Sequence, residues 1–399
     1  MSENLHGFEA DGRQTLVSLP FSLGEVIHSW NSFRGVMVKH MPDDFTRAEW
    51  AYLIQFISES SLRAPFLEYF GVEKSNGVPT GKTRLLKRRG TVGIWLPNNV
   101  SLLGPLMLIL LSLSGCPMRI KVGSRSQNLA AVFLNYALER LEPGALRSHL
   151  EKNVVIDSFG HEDPRNLEMA GTAQVRILFG SDEAARQIEK LGHPTGSVGF
   201  YFTHKVSEGW VEPALVDGEL VEKITKVFAI YGQAGCTSPR KIVLIGGGRE
   251  QAEDLARRIA KGWSAVIKQP PARHTASNNV MARQMALAYG WKVEAVEHNG
   301  AVIAWGEPKL EMPSSPMFLP VTWASLDDAL GRLPENIQTI GCALAPDTQN
   351  KLMNQLAGPS SKPVKRVVPL GNMHHFHYVW DGYAFWRELF TEIEMGIEK

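Results

Sequence analysis

Only three of the 399 residues are cysteine: Cys116, Cys236 and Cys342. Three scattered thiols cannot form a disulfide framework, their number is odd, and no C-x-x-C pair suggests a zinc site. In a reducing compartment each thiol is then either packing or chemistry. An excess of charge is also missing, with 42 Lys and Arg against 41 Asp and Glu and a net charge of +1. Such a balance lacks the basic footprint of a nucleic-acid binder or of a protein held to an anionic membrane. Long hydrophobic runs are missing too. The most apolar stretch, Val100 to Cys116, falls short of the roughly 20 residues of a membrane span and is interrupted by Gly104-Pro105. It reads as a buried helix. The first fourteen residues hold Glu3, Glu9 and Asp11 and no apolar core, so no signal peptide and a cytoplasmic location are expected.

What is present is ordinary globular chemistry, 44% hydrophobic and 21% charged, at a length suggesting roughly two or three domains of about 100–200 residues. Thr46-Arg-Ala-Glu49 has the form of a capping box, followed by Trp50, Leu53, Ile54 and Ile57 on one helical face. From Thr91 onward, β-rich runs alternate with helical stretches. Strands are expected at 91–96, 118–122, 153–157, 174–179 and 197–203, with helices at 100–116, 127–141 and 182–191. This spacing argues for βαβ units and a parallel sheet of nucleotide-binding type. A second alternation follows Gly232. It has a strand at 241–245, a helix at 251–261 ended by Gly262, a helix at 278–289, and paired strands around Asn299-Gly300. A further strand is expected at 338–344, and Gly358–Pro363 has the composition of a linker.

Several segments carry possible chemistry. Ile245-Gly-Gly-Gly248 lacks the third glycine and the following acid of a dinucleotide fingerprint, so it reads as a plain strand-to-helix turn. Gly232-Gln-Ala-Gly-Cys236-Thr-Ser238-Pro239 puts a cysteine in a polar, glycine-rich turn before a strand, where its N–H would suit an oxyanion. Composition leaves a nucleophile and a buried packing thiol both open there, whereas Cys116 and Cys342 lie in apolar runs and read as packing. Asn98 and Asn99 follow a strand, where they either meet a ligand or cap the next helix. Lys121, Ser124 and Arg125 follow another. Phe179-Gly180-Ser181 ends a third and opens a helix whose N–H groups suit a phosphate. The cluster Met373-His374-His375-Phe376-His377 invites a metal reading, but no cysteine or second histidine pair accompanies it. Aromatic lining of a substrate tunnel by Phe376, Tyr378 and Trp380 is expected instead, and no metal.

In this order, these pieces resemble the aldehyde dehydrogenase superfamily: Pro97-x-Asn99, an apolar helix, a strand ending in Lys121, Phe179-Gly-Ser181, then a glutamine before a cysteine. The closer resemblance is to the acyl-CoA reductases, whose best-known members make the fatty aldehyde of bacterial bioluminescence. Gln233-Ala-Gly-Cys236 has that family's spacing, and Gln338-Thr-Ile-Gly341, Pro369-Leu-Gly371 and Trp380-Asp-Gly382 are similar. The resemblance runs from about Thr91 to Gly382 and leaves the first 80 residues or so uncovered.

That resemblance implies an α/β, aldehyde dehydrogenase-like fold of two Rossmann-type domains, one cofactor-binding and one catalytic. The expected division is 1–231 for an N-terminal extension plus cofactor domain, 232–370 for the catalytic domain, and 371–399 for a return to the cofactor domain. It implies Cys236 as nucleophile, with the Asn99 side chain and the Cys236 N–H as oxyanion donors. Lys121 matches the residue meeting the adenosine ribose, and Gly180 and Ser181 match the turn beneath the pyrophosphate. Where NAD-preferring relatives carry a glutamate, this chain has Ser124 with Arg125 beside it, which favours the 2′-phosphate of NADPH over NADH. Tyr201 stands where aldehyde-oxidising members place their general base; Glu208 remains open as a substitute, and His204 as a structural residue. The expected activity is NADPH-dependent reduction of an acyl thioester, acyl-CoA or carrier-protein-bound, to the aldehyde. A cysteine acyltransferase or thioesterase and a non-catalytic partner subunit stay as alternatives. A homo-oligomer, or a complex with an acyl-activating or acyl-transferring enzyme, is the expected assembly.

Overall fold

The computed structural model describes residues 4–8, 14–70, 83–98, 100, 102–123, 127–229, 235–267, 273–296, 301–307, 317–358, 363–375, 379–380 and 382–395. The chain forms two compact units, 1–203 with 377–399, and 204–376.

The first unit opens with β1 (Asn4–Phe8), β2 (Gln14–Ser18), α1 (Leu23–Lys39), α2 (Arg47–Phe56), α3 (Glu59–Phe70) and β3 (Thr83–Arg88). The capping box at α2 forms as its sequence requires, with the Thr46 side chain accepting from the Glu49 N–H and the Glu49 carboxylate accepting from the Thr46 N–H. Trp50, Leu53 and Ile57 are buried below it. Then come β4 (Val92–Trp95), α4 (Leu103–Ser112), β5 (Met118–Val122), α5 (Leu129–Arg140), α6 (Ala145–Asn153), β6 (Val154–Ser158), α7 (Arg165–Thr172), β7 (Val175–Phe179), α8 (Asp182–Glu189) and β8 (Val198–Phe202). Five of these strands form a parallel sheet in the order β6-β5-β4-β7-β8. Numbered along the chain, that order is 3-2-1-4-5, the doubly wound arrangement whose switch point lies between the first and fourth strands. The largely apolar β4 and β7 suit the strands on either side of the switch point, and both are buried throughout, Arg176 of β7 included. The apolar run expected as a helix is α4, and all ten of its residues are buried.

The second unit comprises β9 (Val206–Val211), α9 (Gly218–Ala229), β10 (Pro239–Ile245), α10 (Arg249–Val266), α11 (Arg273–Ala288), β11 (Lys292–Ala295), β12 (Val302–Trp305), β13 (Phe318–Ala324), α12 (Leu326–Gly331), β14 (Ile337–Ala343), α13 (Pro346–Leu356) and β15 (Arg366–Pro369). Its sheet runs β11-β12-β13-β10-β9-β14-β15, and only β11 is antiparallel to its neighbour. From residue 377 the chain belongs to the first unit again, where β16 (Val379–Trp380) pairs with β17 (Tyr383–Ala384). There β18 (Phe390–Met395) closes a four-stranded sheet, β1-β2-β3-β18, by pairing antiparallel with β3.

Four expectations are corrected by this arrangement. The boundary expected at residue 231 falls inside the second unit, because β9 lies between β10 and β14 in that unit's sheet and α9 packs beneath it. The return to the first unit falls at 377 rather than 371. Gly262 does not end its helix; the buried face Ala252, Leu255, Ala256, Ile259 and Trp263 carries α10 past it to Val266. The segment Gly358–Pro363 connects α13 to β15 within the second unit and is no domain linker; residues 359–362 lie outside the described residues.

Candidate functional site

In the first unit, the ligand-type segments of the sequence gather at the C-terminal ends of adjacent strands. Trp95 of β4 pairs with Lys121 of β5 on one side and with Leu178 of β7 on the other. Leu96-Pro97-Asn98 and Phe179-Gly180-Ser181 therefore leave the sheet on the two sides of its switch point, where doubly wound sheets bind ligands. Asn98 does not cap α4, which starts after Leu102 without a side-chain cap. Asn98 instead lies over the end of β5, where a Cβ on Gly123 would overlap Asn98 Oδ1. Any side chain at 123 would have to push the asparagine amide aside. Asn99, Ser124 and Arg125 lie outside the described residues.

Lys121 is partly buried, 5.9 Å from the centre of the Phe159 ring. Burial lowers its pKa, and in the sheet it pairs with Asp157 of β6. A half-buried cation at a strand end suits the hydroxyls and phosphates of a nucleotide, so the residues present fit such a group. Ser181 caps α8, its Oγ accepting from the Ala184 N–H at 3.1 Å, and the Gly180 N–H donates to the Phe202 carbonyl at 3.1 Å. Asp182 and Glu183 occupy the first turn of α8 and compensate that helix end from within. Behind the turn, Phe179 stacks on Phe202 with ring centres 4.6 Å apart, and Trp380 packs against both at 5.9 Å. Trp380 thus buttresses the Phe-Gly-Ser turn from within the first unit, in place of the tunnel role expected for it; Phe376 and Tyr378 lie outside the described residues.

The three thiols of the chain separate cleanly, two of them lying in the second unit. Cys342 in β14 is buried, and burial pushes its thiol up to about 12. Cys116, in the first unit, is fully buried with its pKa likewise raised by burial. Cys236 is partly exposed. It occupies a turn closed by the Ser238 N–H donating to the Gly235 carbonyl at 2.9 Å. From the sheet, Ser207 Oγ donates to the Cys236 carbonyl at 2.7 Å. Gly232, Gln233 and Ala234 lie outside the described residues. Beside the turn, Ser238 Oγ, Thr339 Oγ1 and the Gln338 amide are buried and, among the described residues, have no hydrogen-bond partner. Thr339 pairs with Ser207 in the sheet, while Gln338 is the extra residue of a bulge between β14 and β9.

The two candidates for a base are both otherwise engaged. Tyr201 packs its ring into the core of the first unit against the cluster containing Trp95, Phe159 and Leu178. Its hydroxyl is buried and its pKa is raised by that burial. Glu208 is buried in β9, 2.9 Å from Lys241 Nζ, and accepts from Trp210 Nε1 at 3.0 Å. Strand alternation turns Glu208 to the face opposite Ser207, away from the Cys236 carbonyl that Ser207 holds. His204 is exposed, and its carbonyl accepts from Asn336 Nδ2.

The glycine run 246–248 is the plain turn expected, with Gly246 at φ +72° between β10 and α10. The second unit's own switch point, between β9 and β14, is filled by protein. There the Glu212 carboxylate accepts from the Ala345 N–H at 3.0 Å and from the Thr348 hydroxyl, capping α13. Sequence reasoning missed this residue because its partners lie more than 130 positions away. Among the described residues no three His, Cys, Asp or Glu side chains gather to hold a metal, and no helix is long and apolar enough to cross a membrane. His377 lies outside the described residues.

The family model for acyl-CoA reductase (LuxC) matches residues 82–391. No curated protein matches the chain. Among solved structures, a mutant of proline utilization A (PutA) from Bradyrhizobium japonicum is similar at 13% identity and a TM-score of 0.63, over 95% of this chain and 43% of that one. An NAD-dependent aldehyde dehydrogenase from Sinorhizobium meliloti is similar at 13% identity and a TM-score of 0.66, over 94% and 82%. An aldehyde dehydrogenase from Bartonella henselae follows at 12% identity and 0.64, over 94% and 87%. The chain thus spans less than half the length of the PutA protein it matches. At these identities the likeness is one of fold, and that fold is the aldehyde dehydrogenase one.

Proposed function

The chain belongs to the acyl-CoA reductase (LuxC) family, and from that premise we propose that it reduces an acyl thioester to an aldehyde with NADPH, through an acyl group carried on Cys236. The observation that carries the reading is the contrast among thiols. Cys116 and Cys342 are sealed in apolar surroundings that oppose ionisation. Cys236 alone stands on a partly exposed turn whose peptide is fixed by hydrogen bonds from neighbouring elements.

In the proposed sequence, the Cys236 thiolate attacks the thioester carbonyl of an acyl-CoA or carrier-protein-bound acyl group. The carbon–sulfur bond to the donor breaks, and the donor thiol leaves with a proton. The Asn99 side chain and the Cys236 N–H stabilise the oxyanion. The nicotinamide cofactor would supply the hydride that takes the acyl group to the aldehyde level. Cys236 sulfur then leaves as a thiolate, and the aldehyde carbonyl forms. Lys121, with Gly180, Ser181 and the segment Ser124-Arg125, would hold that cofactor, the cation at 125 favouring a 2′-phosphate. The engagement of Glu208 by Lys241 and Trp210, and the burial of Tyr201, leave no free base at either position to activate water against the acyl-enzyme, which supports reduction over hydrolysis.

Incubation with an acyl-CoA in the absence of cofactor tests this directly. The expected result is an acyl mass increment on Cys236, and Cys236→Ala loses both the increment and acyl-CoA-dependent NADPH oxidation. Retained NADPH oxidation in that variant would sink the assignment. An increment without any NADPH binding by fluorescence titration would point to an acyltransferase or thioesterase instead.

A further inference from the structure

We propose that His374 is a positioning residue for the nucleophile, locking the Cys236 turn through Thr237; this rests on the reading of Cys236 above. The His374 ring makes two hydrogen bonds of opposite kind. Nε2 lies 2.7 Å from the Val227 carbonyl, and Nδ1 lies 2.8 Å from Thr237 Oγ1. A carbonyl only accepts, so Nε2 carries the proton. Nδ1 is then a lone pair, and the Thr237 hydroxyl donates to it. The neutral Nε2–H tautomer is the form that satisfies both bonds, and burial favours it by lowering the imidazole pKa to about 4.

The two partners explain what the ring accomplishes. Val227 lies in the last turn of α9, where carbonyls have no partner within the helix. Thr237 follows Cys236 in the turn that leads into β10. One imidazole therefore ties the end of the helix to the far side of the nucleophile turn, across the intervening loop. Ser207 Oγ holds the Cys236 carbonyl from the sheet, and the Ser238 N–H closes the turn on Gly235. Between them, Ser207 and His374 fix the Cys236–Thr237 peptide from two sides. That peptide anchors the Cys236 Cα from its C-terminal side and so sets the direction of the thiol, while the Cys236 N–H expected to face the oxyanion belongs to the preceding Gly235–Cys236 peptide, whose carbonyl the Ser238 N–H holds. The function assigned so far leaves His374 without a role, and a histidine cluster that looks like a metal motif becomes a clamp.

The test uses Thr237→Val, which is nearly isosteric, Thr237→Ser, which keeps the hydroxyl, and His374→Ala, singly and with Thr237→Val. The readouts are the rate of Cys236 alkylation by iodoacetamide, followed by peptide mass, and kcat and KM for acyl-CoA reduction. Thr237→Val and His374→Ala are expected to lower kcat by about 10- to 100-fold with KM little changed, as for a misplaced reacting group. Alkylation should shift with kcat, Thr237→Ser should restore both, and the double variant should be no worse than the more impaired single one, since both remove the same bond. Wild-type kcat and alkylation in Thr237→Val would overturn the proposal, as would effects that multiply in the double variant. Alkylation needs neither substrate nor cofactor, so it reads the clamp even if the reaction assigned to Cys236 is wrong. Loss of function in Cys236→Ala beside wild-type behaviour of Thr237→Val would remove the clamp and leave the nucleophile.

Discussion

Ser207 Oγ donates to the Cys236 carbonyl at 2.7 Å, joining the second strand position of β9 to the turn that precedes β10. Ser207 is fully buried, so its hydroxyl has no water to turn to. Ser207→Ala strips a carbonyl of its donor in a sheltered place, which costs about 1–3 kcal/mol. The expected outcome is a lower unfolding midpoint in urea together with a kcat reduced by roughly tenfold. Ser207→Thr retains a hydroxyl and should recover much of the activity. Unchanged kcat in the alanine variant would show that the turn is held without the sheet.

Glu208 and Lys241 make the opposite kind of prediction. Their ion pair bridges β9 and β10 on the far face of the sheet, with Trp210 Nε1 donating to the second carboxylate oxygen. Breaking a buried pair by removing one partner costs about 3–5 kcal/mol, and here the lower end applies because Lys241 is partly exposed. Glu208→Gln should therefore lower stability while leaving the ratio of acyl-enzyme hydrolysis to reduction as in the wild type. A base for water would behave differently, since its loss suppresses hydrolysis alone. Single-turnover decay of the acylated enzyme, with and without NADPH, distinguishes the two.

The sheets were legible in the sequence because both are doubly wound. Buried parallel strands such as Val92–Trp95 and Val175–Phe179 are predominantly apolar, with Arg176 the one charged residue in the two, and runs of that kind separated by amphipathic helices read directly as βαβ units. The helix ending was misjudged at Gly262, where a single glycine is tolerated once the apolar stripe continues to Trp263. The domain boundary was misjudged because strand order is invisible to local pattern. Nothing in Val206–Val211 says that it will lie between two strands that follow it in the chain. The site was legible only where chemistry is local. Cys236 stood out by its glycine-rich turn, but Ser207, His374 and Glu212 act on partners 29 to 147 positions away. Strands β1 to β3 went unread, since β3 and β18 pair across almost the whole chain.

The close contact of Gly123 with Asn98 bears on cofactor binding in the first unit. An alanine methyl there would overlap Asn98 Oδ1, so the asparagine or the end of β5 must move. Gly123→Ala is expected to weaken NADPH binding by about tenfold or more in fluorescence titration. Arg125→Ala should do so selectively, losing affinity for NADPH while affinity for NADH stays within about twofold, because the lost cation meets only the 2′-phosphate. Iodoacetamide alkylation of Cys236 in the absence of cofactor should be unaffected by either change. Equal losses for both cofactors in Arg125→Ala would show that the residue does not read the 2′ position.

Two histidines, His149 buried and His374 largely so, set a pH window for stability. Burial lowers His374 from an ordinary 6.5 to about 4, with Arg366 and His375 adding repulsion. Burial lowers His149 to about 4 in the same way, with Arg88 adding to it. Between pH 6.5 and 4 the unfolded chain binds protons at these positions that the folded chain refuses. The unfolded state then holds more protons, so stability rises with pH across this interval and is lost as pH falls through it. Each histidine contributes a loss on the order of 1–3 kcal/mol between pH 7 and pH 4, the lower part applying to His374, which is partly exposed. Urea unfolding at half-unit steps should show the decline in the wild type. In His374→Gln the Gln amide can still donate to the Val227 carbonyl but does not titrate, so the decline should be shallower by one histidine's share. His149→Gln should flatten it by a second share, additively, because the two residues lie in different units. Parallel pH curves for the wild type and both variants would mean that neither imidazole resists protonation in the folded chain.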